Sequence, residues 1–208
     1  MPSHFVRNSP RREQKINYFF KKKPPDIPLS LAWLYFVPSI KKHLIMTQLE
    51  AFRQELEREA LTTRKMLSRV PADKFDWRPH ARSMTLKELA YHVAELPTWV
   101  TVTFDTDELD FEKNPYRQPE ISSSEELVSH FEKSLESGRK SLQHGKEEVL
   151  DKPWTLRSGA TVYTKEPKRD IIRMSFSQII HHRAQLGVYL RLLDVPIPGS
   201  YGPSADEA

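Results

Sequence analysis

Apolar positions recur at three- and four-residue steps in four stretches of the chain, and each stretch reads as an amphipathic helix. In the first, Leu49, Phe52, Leu56, Ala60, Thr63, Leu67 and Val70 fall on one stripe, with Glu55, Glu57, Arg58 and Arg64 outside it. Thr47 with Glu50 fits a capping box at its start, and Pro71 ends the run. The second carries Leu86, Leu89, Val93 and Leu96. Ser83 or Thr85 can cap it, with Glu88 three residues beyond Thr85, and Pro97 bends or ends it. The third begins at caps among Ser122 to Ser124 and continues through Leu127, Phe131, Leu135 and Leu142, with Gly138 and Gly145 weakening its end. The fourth runs from about Lys168 to Leu193 on Ile172, Phe176, Ile179, Leu186 and Leu190.

The connections behave differently. Asp105 to Pro119 is a polar, acidic loop. Between Pro153 and Pro167 the period switches to two, and Trp154, Leu156, Val162 and Tyr163 flank Arg157-Ser158-Gly159-Ala160, which predicts a small hairpin or extended segment. The tail from Pro196 to Pro203 is irregular. The expected fold is therefore all-α, a four-helix bundle with long connections, one of which holds the hairpin before the last helix. Those long connections leave simple up-down topology open.

Charge divides the chain in two. Residues 1–45 hold nine Lys/Arg against Glu13 and Asp26, a net of +7, while residues 46–208 carry a net of −3. A basic footprint for nucleic acid should lie on the folded domain, so none is expected here. The first 45 residues, with Lys23-Pro24-Pro25 and a short apolar run stopped by Pro38, read as a disordered basic extension or as sequence upstream of a domain beginning at Met46. No apolar run reaches the length of a membrane span, and the expectation is a cytoplasmic protein. With no cysteine, disulfides, thiolate metal sites and a cysteine nucleophile are excluded together.

Candidate chemistry concentrates on the fourth helix. Beside its apolar stripe runs a polar one, Ser175, Gln178, His182, Gln185 and Tyr189. Gln178 and His182 lie four apart and project from one face, while His181 is rotated by about 100° and faces solvent or a partner. On the second helix His92 stands between Leu89 and Leu96. His92, Gln178 and His182 could converge as three metal ligands; equally, each could be a hydrogen-bonded core or interface residue. His80, His130 and His144 receive no role, and Trp77 is read as core.

Three segments resemble the DinB (damage-inducible) family of four-helix-bundle proteins. They are Trp77-Arg78-Pro79 through Leu86-Lys87-Glu88-Leu89-Ala90-Tyr91-His92, then His181-His182-Arg183-Ala184-Gln185-Leu186 with Tyr189-Leu190-Arg191, then Tyr201-Gly202-Pro203-Ser204-Ala205-Asp206. The resemblance spans roughly residues 47–207. It implies a bundle holding a divalent metal, zinc or nickel, through His92 and His182, and frequent homodimers. Relatives include thiol transferases and a thiol-dependent isomerase, so a small-molecule or thiol substrate and transferase-like activity are implied. The remaining ligand position falls on Gln178, a departure from the family pattern. If a metal is bound, Gln178 or Gln185, Tyr189 and Arg183 become candidates for orienting substrate, with a surface or dimer salt bridge the alternative for Arg183. A neutral amide is a much poorer ligand than imidazole for zinc or nickel. Four-ligand zinc sites bind with about 10–16 kcal/mol, so one ligand is worth roughly 3 kcal/mol, or about a hundredfold in affinity. Two readings follow: a degenerate metal site in an enzyme of thiol-transferase type, or a metal-free bundle that binds a ligand or a partner.

Overall fold

A computed structural model describes residues 46–115 and 117–207. The expectation for residues 1–45 lies outside the described residues.

Five helices and a three-stranded sheet follow from Met46. Helix α1 spans Gln48–Leu67, α2 Leu86–Glu95, α3 Thr98–Asp105, α4 Ser124–His144 and α5 Lys168–Leu192, with short 3-10 turns at Ala72–Lys74 and Glu147–Val149. Helices α1, α4 and α5 are three long arms of a bundle; α2 and α3 together make the fourth, and both pack on α4 and α5. Every apolar residue of the four predicted stripes is buried, from Leu49 to Leu190. Each of the first three arms starts at a hydroxyl cap. Thr85 and Glu88 form a full capping box, and Ser123 accepts the Glu126 amide. At Thr47 only half of the expected box forms: its hydroxyl accepts the Glu50 amide, but the Glu50 carboxylate is taken by Arg53 and Gln54.

The second arm breaks at Pro97, the N-cap of α3. Proline has no N–H to continue the helical ladder, so one predicted helix becomes two short ones. The break brings the Pro97 carbonyl against α4. A Cβ added at Gly138 would lie 2.6 Å from that oxygen. The glycine that weakens α4 as an isolated helix is thus what lets the broken arm approach it. Alanine favours a helix interior by up to about 1 kcal/mol over glycine, yet Gly138→Ala is expected to destabilise by about 1–3 kcal/mol through overpacking. Urea denaturation checks the sign, and a stabilised variant would refute the close contact.

The acidic loop is more ordered than its composition suggests. Glu108–Asp110 forms strand β1, which pairs in parallel with β2 (Pro153–Ser158), and β2 pairs antiparallel with β3 (Thr161–Pro167). The hairpin was expected; β1 was not. Asp110 is 3 % exposed, and its carboxylate accepts the amides of Glu112 and of Gly159, which turns the hairpin at a φ of 54°. A left-handed turn of this kind favours glycine. Behind the sheet, Trp154 is fully buried and donates to the Thr106 hydroxyl at 3.0 Å. No helix among the described residues is long and apolar enough to cross a membrane.

Candidate functional site

His92 sits in the last turn of α2 and His182 in the middle of α5, both half-buried. Their rings meet edge to face, with centroids 4.7 Å apart. Each ring is held by a residue three positions further along its own helix. His92 Nδ1 lies 2.9 Å from Glu95 Oε1, and His182 Nδ1 lies 2.8 Å from Gln185 Oε1. A carboxylate or amide oxygen only accepts, so each neutral ring carries its proton on Nδ1 and presents the lone pair of Nε2. Burial, ahead of the neighbouring His92 and His181 rings, pushes the pKa of His182 down despite the opposing hydrogen bond that it donates to Gln185. His181, exposed, packs its ring 4.8 Å from that of His182.

An oxygen behind each Nδ1 is also how metal-bound histidines are commonly oriented. The donor set does not go further. The third position of the predicted site is half-buried Gln178, a neutral amide. Among the described residues, no group of three or more His, Cys, Asp or Glu is placed to hold a metal ion. Two imidazoles and an amide do not make the three-ligand nitrogen set that suits zinc or nickel.

The other predicted residues lie apart from this pair, except Gln185. Arg183 is buried between α1 and α5, where it pairs with Glu59 at 2.7 Å and donates to Thr63 and Tyr201. Tyr189 stands edge-on to Trp77, with ring centroids 5.6 Å apart. Neither lines a cavity with His92.

The cavity beside His92 is large, about 1110 Å³. Its apolar wall is Trp99 and Val102 on α3 with Leu109 and Phe111 from the β1 segment, and its floor is Tyr91, His92, Glu95 and His130. Sequence reasoning gave His130 no role. It precedes Phe131 by one position on α4, just off the core stripe, and stacks on Tyr91 with centroids 4.9 Å apart. Its Nε2 is buried without a hydrogen-bond partner. Burial pushes the pKa of this imidazole down and, with the charge of Glu95, pushes the Tyr91 hydroxyl up to about 12. This floor therefore sets a partnerless imidazole nitrogen beside a phenol hydrogen-bonded to Glu95, whose carboxylate also engages His92. Glu95 had a legible signal, since three positions along a helix from His92 is side-chain reach.

A model of the DinB family matches residues 46–208, the whole described domain. The chain belongs to the DinB family. Solved structures agree on the fold. A DinB-like protein from Bacillus subtilis superposes with a TM-score of 0.56 at 18% identity, covering 72% of this chain and 96% of that one. One from Bacillus cereus gives 0.56 at 20% identity, covering 73% and 97%. A protein described as a DinB-family member from Exiguobacterium sibiricum gives 0.55 at 19% identity, covering 77% and 97%. At such identities the likeness is one of fold. No curated protein sequence matches this DinB-family chain.

Proposed function

We propose that this DinB-family domain works without a resident metal, as a module that binds a small molecule in the cavity beside His92. The observation that carries the reading is the cavity, whose floor includes an imidazole nitrogen buried without a partner. Buried polar atoms in native proteins are normally satisfied, by water or ligand if not by protein. The donor set supports the same reading: Gln178 stands at the remaining ligand position, and His92 and His182 have their own hydrogen-bond partners. On this reading residues 46–208 are the functional unit and residues 1–45 a basic extension.

A second reading, a divalent-metal enzyme of thiol-transferase type, draws support from the lone pairs that Glu95 and Gln185 leave on the two Nε2 atoms. Metal content of the untagged full chain by mass spectrometry separates the two. The expected result is no stoichiometric zinc or nickel in the native chain, with Gln178→His raising zinc affinity by about a hundredfold. One tightly held ion per native chain, lost in His182→Ala, would overturn the metal-free reading.

A further inference from the structure

Resting on that reading of the cavity, we propose that its ligand is a small amphiphilic anion, with an aromatic or branched apolar body and a negatively charged head held by Arg82 and Arg117. The body follows from the wall. Trp99, Val102, Leu109 and Phe111 form one apolar side of a space large enough for a compact metabolite. Trp99 is backed by buried Trp154, with ring centroids 6.4 Å apart, so the aromatic surface is fixed rather than collapsible.

The head follows from how the charges at the rim are disposed. Two acids line the cavity, and both are occupied. Glu88 accepts the Thr85 amide in the capping box and feels Arg78, and both hold its carboxyl below the usual range. Glu95 holds His92. Of the acids in the neighbouring loop, Asp107 pairs with Lys168 at 3.0 Å, Asp110 accepts the Gly159 amide, and Glu108 lies 3.7 Å from Lys113 and from Arg157. Arg82 and Arg117 line the same rim and make no ion pair among the described residues. A cationic rim on a domain whose net charge is −3 runs against the average of its surface. Such a rim raises the local concentration of anions and suits a carboxylate, sulfonate or phosphate head. Below it lies the polar floor of Tyr91, His92, Glu95 and His130.

The full chain is tested with two probes that share an apolar body and differ in charge, anilinonaphthalenesulfonate and neutral phenylnaphthylamine. The readouts are affinity by titration and the Trp99 indole N–H resonance, assigned with Trp99→Phe. The anionic probe should move the Trp99 resonance and bind at least about tenfold more tightly than the neutral one, with the preference shrinking in salt. Arg82→Glu with Arg117→Glu should abolish the preference and leave neutral-probe binding unchanged; both side chains are exposed, so the fold should survive. Equal affinity for both probes, insensitive to charge reversal, would overturn the anionic class while leaving the cavity as a binding site. Failure of both probes to move the Trp99 resonance would overturn the cavity reading itself. Inorganic phosphate alone, moving Trp99 as the sulfonate does, would overturn the amphiphile and leave a plain anion site.

Discussion

Replacing Arg183 with alanine is expected to lower the unfolding free energy by about 3–5 kcal/mol, a large share of what a domain of this size has. Arg183 is 1 % exposed and Glu59 8 %. Their ion pair measures 2.7 Å, and the guanidinium also donates to the Thr63 hydroxyl at 3.0 Å and to the Glu59 carbonyl at 3.2 Å. Tyr201 closes the ring: its hydroxyl accepts from Arg183 and donates to Glu59 Oε2 at 2.9 Å, so the C-terminal segment is tied to α1 through a phenol. The pair itself need not be strongly stabilising, because desolvating two charges offsets much of their attraction. Removing one partner is costly for a different reason: the other remains buried and uncompensated. Arg183→Met combined with Glu59→Leu should therefore recover most of the loss seen in Arg183→Ala. Urea denaturation of the single and double variants measures both. A loss below about 1 kcal/mol in the single variant would mean that Glu59 reaches water when Arg183 is gone.

Trp154→Ala is expected to cost a comparable 3–5 kcal/mol. Its indole is fully buried where the hairpin meets the end of α3, and truncation leaves a cavity that α3 and β2 cannot both close. Trp154→Phe should restore most of the stability, leaving about 1 kcal/mol for the lost hydrogen bond to Thr106. Because Trp154 backs Trp99, the alanine variant should also loosen the wall of the cavity beside His92. The combined readout is a lower melting temperature with a broadened Trp99 indole signal. An unchanged Trp99 signal would separate the hairpin from the cavity.

The bundle was legible because its core is periodic. Leu56, Phe131, Phe176 and their neighbours occupy the faces that a 3.6-residue period assigns, and hydroxyl caps mark three of the four starts. Arg183 was expected to orient substrate or to form a surface or dimer salt bridge; the structure buries it instead, four positions after Ile179 and three before Leu186, within the core stripe. A charge in such a stripe predicts a buried partner as readily as a substrate contact, and Glu59, three positions after Leu56 on the first helix, is the partner. What periodicity could not supply was long-range pairing. Three residues, Glu108 to Asp110, carry no strand pattern of their own and are ordered by β2, more than forty positions away. The site divides the same way. His92 and His182 were brought together as their helix faces implied, and Gln185 was found beside His182. His130 and Trp99 joined the cavity through the break at Pro97 and the packing of α4, which no local spacing reports.

Strand β1 carries its own consequence. Leu109 and Phe111 lie on the cavity side, while Asp110 between them is fixed to the hairpin turn, and the pairing with β2 runs through main-chain atoms. The wall is therefore hung on the fold by groups that side-chain exchange at 109 and 111 leaves untouched. Exchanging those two side chains would reshape the cavity wall as one short panel, without reopening the core.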